Sequence, residues 1–143
     1  MHFRKFLYIA SLLTSMSISA AEFPTGMLRG VGFIVEKGDQ KITEQNLHSY
    51  ESSVTVMKLS DGRYQFGVVA DLQKTTDSPK KRDSRLDVYQ IIWDSPTTGK
   101  LVNADEKFKE DRSNFYISNK QLVIKSWIAR NLLWETHIYS IEK

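Results

Sequence analysis

From Gly26 onward, apolar and polar residues alternate with period two, and turn-forming residues recur at short intervals. That pattern predicts a succession of antiparallel strands rather than helices. Its clearest unit is Ser53 to Leu72, in which Asp61-Gly62 offers the positive φ angles of a two-residue hairpin loop. With that loop, Leu59 opposes Tyr64, Met57 opposes Phe66 and Thr55 opposes Val68. One face then carries Met57, Leu59, Tyr64, Phe66, Val68 and Leu72, and the other Lys58, Arg63, Gln65, Asp71 and Gln73.

A second hairpin is predicted from Asn114 to Ile128, turning at Asn119-Lys120, with Phe115, Ile117, Leu122 and Ile124 on one face. Tyr116, Val123 and Trp127 fall on its other face and imply a partly covered surface. Leu132 to Ile141 alternates as a closing strand, and Met27 to Glu36, Arg85 to Asp94 and the charged Lys100 to Lys109 are further candidates. Gly30 and Gly32, placed on one side of the first strand, suit a sharp bend or close packing.

Counting each half of the hairpins, about eight strands follow one another in up-and-down order. The fold class expected is therefore all-β, a single small antiparallel barrel, with a β-sandwich as the alternative. Two longer connections interrupt the meander. Lys37 to Tyr50 predicts a loop or a single helical turn over a barrel mouth, and Lys74 to Ser84, which holds Pro79 and the basic run Lys80-Lys81-Arg82, predicts a mobile loop. Neither an internal repeat nor an interdomain linker is evident.

The residues ahead of this pattern change the picture. Arg4 and Lys5 precede an apolar run from Leu7 to Ile18, and Ser19-Ala20-Ala21 supplies small residues for cleavage, so residues 1–21 predict an export signal. The run is too short for a membrane span. Cleavage after Ala21 is slightly preferred to cleavage after Ala20. Removing residues 1–21 from the 143 leaves 122, enough for one domain over 22–143. Removing Arg4 and Lys5 from the 20 basic side chains leaves 18 against 17 acidic, a balance that gives no general attraction to nucleic acid or anionic lipid.

Cysteine is absent, so the barrel forms without disulfides, and thiol catalysis, cysteine-ligated zinc and an acylated amino terminus are excluded. The expected destination is the periplasm, with secretion as the alternative.

At the level of architecture, the export signal, the eight candidate strands and an opening Gly26-Met27-Leu28 resemble the lipocalin and calycin group of exported barrels. Members of that group open with Gly-x-Trp, whereas Leu28 holds the third position here. The resemblance implies a barrel that encloses a small ligand, and transfers no ligand residue to this chain.

Candidate chemistry is sparse. Glu135 and His137, two apart on a strand, share a face and could hold a metal or move a proton, although either use needs further convergent groups and a solvent-facing pair is the simpler reading. No serine lies in a nucleophile elbow. Asp105, Glu106, Glu110 and Asp111 alternate with basic residues as a solvated edge would. Gly26, Gly30 and Gly32 do not have phosphate-loop spacing.

The aromatic residues carry more information. Tyr64, Phe66, Tyr89, Trp93 and Trp134 all fall in strand candidates and are the expected lining of an apolar pocket with hydroxyl or indole donors at its polar end. The alternative is that they fill the core. Two functions follow. The first is a binding module for a small apolar or amphipathic ligand, without cofactor, metal or enzymatic activity. The second is an inhibitor or accessory module for an envelope protein, acting through an outward patch that includes Tyr116 and Trp127.

Overall fold

The computed structural model describes residues 22–142. The predicted export signal, residues 1–21, lies outside the described residues. Nine strands form: β1 (Gly26–Lys37), β2 (Gln40–Thr43), β3 (Ser49–Lys58), β4 (Tyr64–Gln73), β5 (Lys81–Trp93), β6 (Thr98–Asn103), β7 (Arg112–Ser118), β8 (Gln121–Ile128) and β9 (Leu133–Ser140). Every neighbouring pair is antiparallel, and β1 also pairs with β9. β1 and β3 to β9 thus close an eight-stranded up-and-down barrel, and β2 is a short addition to the end of β1. Among the described residues, no helix is long and apolar enough to cross a membrane.

The first hairpin differs from the sequence expectation by one residue. Leu59 N–H donates to Arg63 O at 2.8 Å and Gly62 N–H to Leu59 O at 3.0 Å, with Gly62 at φ 88°. The loop is therefore the three residues 60–62, a turn closed by a left-handed glycine, rather than Asp61-Gly62 alone. Because the side-chain period is two, the extra residue moves one strand's set to the other face. Val54 and Val56 face inward opposite Val68 and Phe66, while Met57 is 51% exposed. The second hairpin has the expected register, Ser118 opposite Gln121, because Asn119 and Lys120 both adopt positive φ.

β1 bends where the sequence places Gly30 and Gly32, through a bulge between them. Gly30 opposes Tyr139 and Gly32 opposes Ile138, so the bulge puts the two glycines on opposite faces rather than on one side. A Cβ at Gly30 would collide with the Ser52 side chain, so only glycine lets β1 approach β3 here. Beyond the bend β1 leaves β3 for β9 and β2. The freed Phe33 N–H donates to the Glu44 carboxylate at 3.1 Å. Glu44 opens the 3₁₀ turn Glu44–Asn46, the single helical turn anticipated in this connection.

The short hairpins after β3, β5 and β7 gather at one end of the barrel, and the longer connections after β1, β4, β6 and β8 gather at the other. Phe23, ahead of β1 and 2% exposed, seals the first end. Its ring centroid lies 5.0 Å from that of Phe115, 5.5 Å from those of Tyr64 and Phe66, and 6.4 Å from that of Trp93. Leu28, Val54, Val56, Leu101 and Leu122 complete the core above this plug.

Candidate functional site

Toward the end with the longer connections the interior is not filled. A cavity of about 120 Å³ opens there, its depth formed by Phe66, Leu101, Ile124 and Tyr139. Its rim carries Arg85 and Asp87 of β5, Asp111 ahead of β7, Arg130 after β8, and Glu135 and His137 of β9. Period-two alternation explains how charge enters a barrel interior. Tyr89 faces inward, so Asp87 and Arg85, two and four residues earlier, follow the same face to the mouth. Tyr139, His137 and Glu135 repeat the arrangement on β9.

Most of these polar groups have fixed partners. Ser113 and Ser126, opposite each other on β7 and β8, join their hydroxyls at 2.7 Å. Asp111 accepts the Ala129 backbone N–H at 2.9 Å and thereby ties the β6–β7 connection to the β8–β9 turn. Asn103 Nδ2 donates to Asp87 at 3.4 Å. His137 Nε2 lies 3.4 Å from Glu135 Oε2, while His137 Nδ1 is buried with no hydrogen-bond partner among the described residues. If Nε2 carries the proton toward Glu135, Nδ1 presents a lone pair and can accept a hydrogen bond from a ligand. Neither Arg85 nor Arg130 forms a salt bridge among the described residues.

No family model matches the chain, and no curated protein matches it. The site is therefore read from its own chemistry.

Burial raises the Tyr89 phenol to about 12, with the Asp87 charge adding to it, and burial also raises the Tyr139 phenol, with Tyr50 adding to it. Both remain neutral donors at physiological pH. The hydrogen bond from His137 holds the Glu135 carboxyl below its ordinary value, with the positive charge of Arg85 adding a smaller effect against desolvation. A depressed acid stabilises the fold above its unfolded pKa, and that contribution disappears as pH falls through the folded pKa. Glu135→Gln should therefore flatten the acid limb of stability below about pH 4.3, the ordinary carboxylate region, and leave its slope near neutrality unchanged. Chemical denaturation at a series of pH values measures this. An unchanged acid limb would show that the pair does not couple to folding.

Of the five aromatic residues expected at a pocket, Phe66 and Tyr89 line this cavity. Tyr64 and Trp93 pack around Phe23 at the sealed end. Trp134 lies on the face opposite Glu135 and His137. It packs on Trp127 at a ring separation of 5.3 Å, with Lys125 Nζ 5.0 Å from its ring centroid. Arg85, Asp87 and Arg130 were not singled out by the sequence, which leaves the inward face of β5 open until a partner strand fixes it. Among the described residues, no three His, Asp or Glu side chains converge as a metal site requires. The basic run Lys80-Lys81-Arg82 is not all loop: Lys81 and Arg82 begin β5, and Arg82 makes a two-pronged contact with Asp71 at 2.8 and 3.0 Å.

Proposed function

We propose that the protein is an exported, lipocalin-like binding module that holds a compact amphipathic molecule in the open end of its barrel. The observation that carries this reading is the division of one cavity into an apolar floor and a charged rim above a sealed base. Of the two ligand classes implied by the sequence, a wholly apolar one would bury the unmatched rim groups at a cost, whereas an amphipathic one satisfies both zones. At about 120 Å³ the cavity is smaller than the roughly 300 Å³ at which drug-sized pockets begin, which selects a short chain or a single ring.

Binding is favoured over catalysis because the hydroxyls of Ser113 and Ser126 engage each other rather than a base. The periplasm is the proposed setting. A second reading, an accessory module for an envelope protein, draws on the outward Trp127–Trp134 pair and on Tyr116, which is 48% exposed.

Native mass spectrometry of the protein purified gently from its own envelope tests the first reading. The expected result is an added mass that disappears on denaturation and is absent from the cavity-filling variant Ser126→Phe. A protein recovered bare, which also fails to take up short-chain amphiphiles, would overturn it.

A further inference from the structure

The barrel leaves one flank open. β6 meets β5 only from Tyr89, opposite Asn103, to Trp93, opposite Gly99, and Ala104 N–H closes the ladder on Val88 O. From Lys81 to Asp87, β5 is paired on its β4 side alone. Residues 81–86 are all exposed, Leu86 to 69%. An unpaired flank of this length is a template for another strand unless its side chains forbid it.

The charges here favour one pairing over its two-residue slips. Lys81, Asp83, Arg85 and Asp87 alternate in sign along one face of β5. Placed antiparallel to itself about Ser84, the segment sets Lys81 opposite Asp87 and Asp83 opposite Arg85, twice each by symmetry. On the other face Leu86 lies across from the aliphatic stem of Arg82, and Ser84 from its own copy. A slip by two residues in one direction puts Asp83 against Asp83 and Lys81 against Arg85. The opposite slip puts Arg85 against Arg85 and Asp83 against Asp87. Like charges directly opposite are unfavourable, so of these three registers only the one centred on Ser84 matches throughout.

We propose that residues 81–87 of β5 pair antiparallel with the same residues of a second copy, centred on Ser84, to form a two-fold dimer through a continuous sheet. This surface shares Arg85 and Asp87 with the rim of the cavity, but its test reads association rather than ligand capture and so can fail independently of the ligand reading.

Sedimentation of the purified protein over a concentration series tests the proposal. The expected mass doubles with concentration, and Asp83→Arg and Arg85→Asp each remain at the monomer mass because each sets like charges opposite. An equimolar mixture of the two variants should recover the doubled mass. In that mixed pair the arginine introduced at position 83 of one chain faces the aspartate introduced at position 85 of the other, and the native Arg85 faces the native Asp83. A wild-type protein that stays monomeric at the highest attainable concentration overturns the proposal. So does a dimer indifferent to either reversal, or a mixture that fails to associate. Should a reversal unfold the chain by circular dichroism, amide exchange of wild-type residues 82–86 decides: protection that rises with concentration supports the pairing, and unchanged protection overturns it.

Discussion

Phe23→Ala is expected to destabilise the protein by about 3–5 kcal/mol, the range for deleting a fully buried phenylalanine ring. In thermal denaturation this corresponds to a fall in Tm of roughly 10–20 °C for a domain of this size. Phe23 belongs to no strand, yet four aromatic rings surround it at the sealed end. Its removal leaves a hole that those rings cannot close, because each is held by the strand that carries it. Phe23→Leu keeps most of the volume and should lose far less, about 1–2 kcal/mol. A loss below about 1 kcal/mol for the alanine variant would mean that the N-terminal segment rests on the barrel rather than completing its core.

Gly99→Ala should cost about 1–3 kcal/mol through overpacking. A Cβ there would collide with the Ile92 carbonyl of the neighbouring strand and lie 2.8 Å from the Phe115 ring. Backbone on one side and a buried ring on the other leave neither neighbour free to move. Gly67→Ala is the control. Its Cβ would meet only Leu86 Cδ1 at 3.8 Å and Thr55 O at 3.9 Å, so the change should fall within about 0.5 kcal/mol of neutral. Urea unfolding of both variants separates them. Equal losses would show that glycine's strand propensity, rather than the contact at Ile92 and Phe115, sets the cost.

These two positions mark the limit of what could be read in the chain. Strand alternation made the eight-stranded, up-and-down architecture legible, and Asn119-Lys120 fixed the second hairpin because its loop has only two residues. At Asp61-Gly62 the same kind of signal admitted a loop of two or of three residues. The three-residue form won, and Val54 and Val56 took the core positions expected of Met57 and Leu59. Gly99 follows Thr97-Thr98 and resembles the end of a turn, and nothing local reveals that Phe115 packs against it. Phe23 lies outside the alternating region, so no period marks it as core.

The cavity was legible only in part. Phe66 and Tyr89 were found because aromatic residues in strands announce themselves. Arg85, Asp87 and Arg130 were not, because a charged residue in a strand ordinarily implies the solvent face. Only the inward placement of Tyr89 reverses that inference for β5. Trp134 was expected inside with equal reason, but β9 turns Glu135 and His137 inward and sends Trp134 to the other face.

The pairing of β1 with β9 bears on the order in which the molecule can be made. Seven of the eight barrel seams join β1 to β3 or one later strand to its successor in the chain, and such local contacts can form early. The eighth brings together the most distant strands, so the second half of β1 has only the short β2 to pair with until the whole intervening chain is made. Glu135, His137 and Tyr139, which line the cavity, lie on the β9 side of that seam. A chain still emerging amino-terminus first can therefore have its hairpins in place and yet hold no ligand. Under the proposed function, ligand capture would report completion of the ring, and a bound molecule would act as a latch on the last seam to close.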